Sequence, residues 1–449
     1  MQLALTSSRI VDDMDDPRSF KRWLFVITGI ALATRFLVLT AFWPTWFWWS
    51  GDIQDDWNKL AINSVMYGTF GYTPNESTVR RGPIFALVEI PLFLIFGEVY
   101  AAWSMFLLLL DVFTSLLLVL TGRKLWGNRV GILAGLFHAV HLPVVFYTAQ
   151  IEQFSAVLPL VVLWFYLISA WDRGPSGHPH PVSLGLLSGL LILSKTVYLP
   201  VVLGSAVALG WFKRREQNTL SIVKQLTAMV VVAGLVVAPW TYRNYVVTGG
   251  SFIPVQSLFW PIVWQKFVMA DLDSREGRQR PPGRTLETIL ARQSELIQRF
   301  GDSHTLSPTQ NLSGPQRELY YDRAYRAQVL EWLRVSPRKY LANVLSNLWG
   351  FWVAAENLQK TLLMAAMQMP FLGASLVGLW LTIRHGRLDR VRFALVLVGI
   401  LWAEHSLVLG WGRFSLDTVP ALAIVLGVGI DAWLKHRSIR CRRGRSPTP

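Results

Sequence analysis

Residues 49–85 read WSGDIQDDWNKLAINSVMYGTFGYTPNESTVRRGPIF. The stretch follows the first long apolar run of the chain. It places Asp52, Asp55 and Asp56 within five positions, passes turn residues at Gly68, Gly71 and Pro74, and then presents Arg80 and Arg81 ahead of Pro83. A solvated loop with scattered charges would have the same local composition. Acids followed by bases where a chain leaves a bilayer also suit a polar group carried on a lipid-soluble molecule. The rest of the chain decides between the two readings.

The chain has 449 residues, 52% hydrophobic and 16% charged, with 21 Trp and 24 Phe. Soluble domains average about 25% charged residues. The composition and the long apolar runs therefore predict an all-α polytopic membrane protein. The net charge of +15 does not call for nucleic acid, because Lys and Arg retained on the cytoplasmic side account for it. Cys441 is the single cysteine, which excludes an intrachain disulfide and cysteine-based zinc motifs.

Charge orients the spans. Lys21 and Arg22 precede an apolar run at 23–43, which places the N-terminus inside and residues 44–99 outside. Residues 84–96 are apolar but only 13 long, where a span needs about 20. They are expected to lie at the interface without crossing. The next span, 100–121, then delivers Arg123, Lys124 and Arg129 to the cytoplasm. Spans follow at 130–146, 154–171, 182–193, 199–212, 227–240, 362–383, 393–409 and 416–434. The expectation is about ten transmembrane helices in an inner membrane, both termini cytoplasmic, with interfacial helices in the first and the long outer loops. The chain divides into a cytoplasmic segment (1–20), a transmembrane module (21–240), an outer segment (241–361), C-terminal spans (362–434) and a basic tail (435–449). Within the outer segment, 286–300 and 316–335 have amphipathic helical spacing. Residues 340–355 read as an interfacial or re-entrant helix.

The polar groups expected on the outer side have one character. The acids are Asp52, Asp55, Asp56 and Glu152; the bases are Arg80, Arg81, Lys195, Arg243 and Arg413; His405 sits near the end of a span. Each has an ordinary explanation as a solvated cap, a snorkelling side chain or a headgroup anchor. Together they pair arginines, suited to phosphate, with carboxylates suited to accept a proton from an attacking hydroxyl or amine. There is no HExxH motif, and no metal is assigned. His405 with the acids would offer a mixed O/N set to a divalent ion.

The motifs SGDIQDDWNKLA (50–61), RRGPIF (80–85), YTAQIE (147–152), APWTYRNYVVTGGSFIPV (238–255) and GRFSLDTVPALAIV (412–425), in this order, resemble the membrane glycosyltransferases of the GT-C class. The nearer likeness is to the group holding protein O-mannosyltransferases and lipid A aminoarabinose transferases. The resemblance implies a polyprenyl-phosphate sugar donor, a lipid, glycan or protein acceptor, and transfer on the non-cytoplasmic face. It implies an acid of the first loop as base or its orienter, a role that falls on Asp52, Asp55 or Asp56. Glu152 matches the second-loop acid, and Arg243 and Arg413 match the family's arginines. Tyr245 completes the RNY element. A flippase moving a lipid-linked sugar without chemistry, or an inactive envelope scaffold, is the rival reading. Transporters of that kind often carry internal repeats, and none is visible in this chain.

Overall fold

The computed structural model describes residues 14, 16, 18–49, 56–173, 181–269, 312–355 and 357–443. Among them every element is helical, apart from an isolated bridge between Thr73 and Glu76. A bilayer offers no water to backbone groups, so a chain this apolar satisfies them within helices.

The elements run α1 (Phe20–Trp49), α2 (Trp57–Tyr67), α3 (Ile84–Phe96), α4 (Tyr100–Trp126), α5 (Asn128–Val140), α6 (Leu142–Thr148), α7 (Phe154–Arg173), α8 (Pro181–Ser194), α9 (Tyr198–Lys213) and α10 (Thr219–Val247). There follow α11 (Phe259–Trp264), α12 (Gly314–Val335), α13 (Pro337–Val353), α14 (Leu358–Arg384), α15 (Arg392–Val408) and α16 (Val419–Arg443). Among the described residues, seven helices are long and apolar enough to cross a membrane. An eighth span results if α5 and α6, bent by 57° at His141, are taken as one. Pro143 in the first turn of α6 fits the break, since proline is favoured at the start of a helix. The ten-span expectation counts α8 and α9 as well. They have 14 and 16 residues. At 1.5 Å per residue they reach about 21 and 24 Å, short of a hydrocarbon core of about 30 Å. Helix α3 has the expected bounds and, at about 20 Å, is shorter still.

Several ends differ from expectation. The boundary drawn after residue 240 falls inside α10, which runs on to Val247 and carries the RNY element in its last two turns. The tail expected from 435 continues α16 to Arg443. An apolar run marks the part of a helix in hydrocarbon, whereas the hydrogen-bond ladder continues into the headgroup region. Helix α12 begins at a capping box between Ser313 and Gln316, close to the expected start at 316. Helix α13 covers most of 340–355. The helix expected at 286–300 lies outside the described residues.

Close packing in lipid relies on small residues. A Cβ on Gly122 of α4 would lie 2.6 Å from the Cα of Gly131 in α5. The interior also holds charge. Arg35 of α1 and Asp111 of α4 are fully buried and meet at 2.7 Å, with the Nε2 of His138 3.6 Å from the same carboxylate. At the opposite end from the 56–83 loop, Arg392 pairs with Asp172, and Arg129 and Lys435 both approach Asp431.

Candidate functional site

The loop between α2 and α3 is built by local chemistry. Helix α2 ends at Gly68, whose φ of 64° suits glycine and whose N–H reaches the carbonyl of Asn63. The chain then folds back so that the Thr78 N–H donates to the Phe70 carbonyl (2.8 Å). Arg243, from the last turns of α10, donates to both strands of this hairpin-like loop, at 2.6 Å to the Thr78 carbonyl and 3.2 Å to the Phe70 carbonyl. Its guanidinium also lies over Trp240, 4.9 Å from the ring centre. Two nitrogens of Arg243, expected as a phosphate ligand, donate to backbone carbonyls. Tyr245 is half exposed, two residues further along the same helix.

Arg80 faces Glu318 of α12 at 3.7 Å. Arg81 donates to the Tyr72 hydroxyl (3.0 Å) and stacks over Trp57 at 4.9 Å. Asp56 takes a left-handed conformation at the N-cap of α2 (φ 54°) and pairs with Lys59 at 2.8 Å. Asp52 and Asp55 lie outside the described residues, so two of the three candidate bases have no described geometry.

A second cluster forms where α16 begins. The 3₁₀ turn Gly412–Thr418 carries both Arg413 and Asp417. Arg413 donates to Glu152 at 3.2 Å, and Lys195 donates to Asp417 at 2.8 Å. Both carboxylates are buried, Glu152 at 6% exposure and Asp417 at 1%. Carboxylates this buried require such partners. His405 is sandwiched between Phe351 and Phe414, with ring centres 5.5 and 4.6 Å away. Among the described residues its Nε2 has no hydrogen-bond partner, and the Tyr198 hydroxyl faces the Asp417 carboxylate. The Nε2 is a polar atom available to water or a bound molecule. Asp417, Tyr198 and Glu318 are not among the residues that sequence alone nominates. Asp417 lies four residues after Arg413 inside a recognised motif, and that spacing is the signal that would have found it.

The two clusters are joined. The Gly82 N–H donates to Gln256, which donates in turn to Thr196 beside Lys195. Gly82 is required here, because a Cβ would lie 2.1 Å from the Leu193 carbonyl. Trp57 and Ile151, which stand next to Asp56 and Glu152 in sequence, belong to one apolar cluster. Among the described residues no group of three or more His, Cys, Asp or Glu is arranged to hold a metal. Glu152, Lys195, His405 and Arg413 thus lie around one turn, and Asp56, Arg80, Arg81 and Arg243 around the adjoining loop. Outside the spans, burial raises the carboxyl of Glu318 above its usual range, against Arg80 and the loop's hydrogen bonds, which lower it. Burial likewise raises Asp322 one turn on.

The sequence matches no protein-family model and no curated protein. The fold has solved counterparts. It is similar to the archaeal oligosaccharyltransferase AglB of Archaeoglobus fulgidus in complex with an inhibitory peptide and a dolichol-phosphate (TM-score 0.54, 15% identity, 95% of this chain and 53% of that one). It is also similar to the Archaeoglobus fulgidus oligosaccharyltransferase tethered to an acceptor peptide containing the NVT sequon (TM-score 0.55, 14% identity, 95% and 51%). The chain spans about half the length of these structures. At this identity the likeness is one of fold: the chain is an all-α integral membrane protein of GT-C-like architecture.

Proposed function

We propose that the chain is an inverting glycosyltransferase that takes a sugar from a polyprenyl-phosphate donor and passes it to a lipid, glycan or protein acceptor at the non-cytoplasmic face of the inner membrane. The observation that carries this reading is the meeting of two ion pairs, Arg413–Glu152 and Lys195–Asp417, on one turn beside the arginine-bearing loop. The fold supports it. A structure in the same fold holds a dolichol-phosphate, and another holds an acceptor peptide.

The chemistry follows from the residue types. The acceptor hydroxyl or amine attacks the anomeric carbon. The bond from that carbon to the phosphate oxygen breaks, and the electron pair leaves with the lipid phosphate. Lys195, Arg413, Arg80 and Arg81 supply positive charge for the phosphate before and after that step, while Arg243 holds the loop. Glu152 and Asp417 keep the unliganded cluster near neutral and aim the two cations. The acceptor proton goes to a carboxylate, with Asp52, Asp55 and Asp56 as the first-loop candidates and Glu152 the acid of the second loop. Loss of such a base lowers the rate about 10²–10⁴-fold.

The test is release of free lipid phosphate by the purified protein from a panel of polyprenyl-phosphate sugars. Asn replacements at Asp52, Asp55 and Asp56 are compared for donor binding and for transfer. One of them should bind donor and fail to turn over. Full transfer by all three removes the base from the first loop, and movement of labelled donor across vesicles without phosphate release assigns transport instead. The orientation is tested by cysteines placed at Gly97 and Gly127, the first reachable from outside and the second only from the cytoplasm.

A further inference from the structure

The loop that carries Arg80 and Arg81 is held from two sides. Arg243 grips the carbonyls of Phe70 and Thr78 from α10. From the other side α12 lays its first turns on the loop. Glu318 accepts from the Thr78 hydroxyl at 2.7 Å and from the Val79 N–H at 2.9 Å, and stands 3.7 Å from Arg80. The residue before it, Arg317, donates to both oxygens of Glu76 at 3.1 Å. A Cβ on Gly314 would lie 3.1 Å from the Ser77 carbonyl, so the helix start rests directly on the loop backbone.

Helix α12 is itself anchored. Tyr325, Val329 and Trp332 pack with Trp264 and Phe267 of the 259–269 segment, and the Trp264 indole donates to Gln328 at 2.6 Å. The same stretch of chain leads back to the loop: the Ser257 N–H donates to the Val79 carbonyl at 2.8 Å, and Gln256 takes the Gly82 N–H. Residues 78, 79 and 82 are thus tied by backbone or hydroxyl groups, and the two arginines lie between them in a braced segment.

We infer that Glu318 is a positioning residue: by holding Thr78 and Val79 it sets Arg80 and Arg81 toward the donor phosphate, so that the helix following the long 270–311 segment governs donor binding. This rests on the transferase reading above. A carboxylate suits the task because it accepts from both loop donors at once and offsets the two cations, Arg80 and Arg243, that face it.

Glu318→Ala and Glu318→Gln separate the hold from general folding. In the Gln variant the amide oxygen accepts from the Val79 N–H and the amide nitrogen donates to the Thr78 hydroxyl, so both ties survive without the charge. Amide hydrogen exchange across residues 70–82 and steady-state kinetics with a polyprenyl-phosphate sugar are read together. The Ala variant should exchange about tenfold faster at Val79 and show a donor KM raised about tenfold, with kcat changed much less, the size expected for losing hydrogen bonds to a charged group. The Gln variant should retain protection and recover most of the KM. Unchanged exchange in the Ala variant overturns the hold. Faster exchange with an unchanged donor KM overturns the positioning role. Should Glu318→Ala fail to fold, Thr78→Val removes one tie from the loop side and must move both readouts in the same direction, or the inference falls. If the native protein releases lipid phosphate from no donor, the transferase reading fails and the positioning role with it, while the exchange arm still decides whether Glu318 holds the loop.

Discussion

Replacing Asp111 by Leu should damage the protein far more than replacing its partner Arg35 by Leu, and replacing both should restore most of the loss. The pair is fully buried at 2.7 Å. Without Asp111, the guanidinium keeps its bonds to the carbonyls of Ala139 and His138 but has no counter-charge. Arginine cannot shed its proton in a protein, so the full cost of breaking a buried pair applies, about 3–5 kcal/mol. Without Arg35, the Asp111 carboxylate still faces His138, whose Nε2 lies 3.6 Å away. The two carbonyls also keep other donors, the Thr34 hydroxyl at 3.0 Å to Ala139 and the His141 N–H at 3.3 Å to His138. About 1–2 kcal/mol then covers the lost bond. The double variant places two apolar side chains in an apolar interior and should lie within about 1 kcal/mol of the native protein. The coupling energy is therefore at least about 3 kcal/mol. Unfolding in detergent, followed by the fluorescence of the 21 tryptophans, should rank Asp111→Leu lowest, Arg35→Leu between, and the double variant near native. An Arg35→Leu protein as unstable as Asp111→Leu, or no rescue in the double variant, would refute the argument.

Further predictions concern the site. Gly82→Ala should push the RRGP segment off the Leu193 carbonyl, since its Cβ would approach to 2.1 Å. Transfer should fall at least about tenfold while the helical circular dichroism is retained, and full activity would show that the join between the clusters is not needed. Asp417→Asn should leave Lys195 paired only by a neutral acceptor and weaken donor turnover, whereas Lys195→Met with Asp417→Asn should be more stable than the sum of the single changes. A double-mutant cycle on the thermal midpoint measures this. For Glu318, the folded state raises the carboxyl above its unfolded value because burial outweighs Arg80. Its contribution to stability is thus fully present below the unfolded value and is lost as pH rises through the folded one. Stability measured from pH 4 upward should fall more in the native protein than in Glu318→Gln, and parallel curves would contradict the assignment.

Much of the architecture is legible in the sequence because it is set locally. The 13-residue apolar run of α3, the Ser313–Gln316 capping box of α12 and the glycine ending α2 each carry their own boundary signal. The first loop, Glu152, Lys195 and Arg413 are likewise visible, since a charged residue beside an apolar run stands out wherever it is. Helix ends in the headgroup region are less legible, as the overrun of α10 past residue 240 shows. Hydropathy reports the solvent around a helix, and its hydrogen bonds do not stop at that border. Partners are not legible at all. Arg413 meets Glu152 across 261 positions and Lys195 meets Asp417 across 222. Arg243, chosen for phosphate by its motif, is turned to the carbonyls of Phe70 and Thr78 by the packing of α10 against the loop. Arg35 and Asp111 look like isolated interruptions of two spans until α1 and α4 bring them together. The charge of a side chain is a property of its residue type, and the sequence alone determined where such charges lie along the chain. The energy of that charge depends on distance and burial, which arise only when helices remote in sequence pack together, so the tertiary structure alone decided which charges meet.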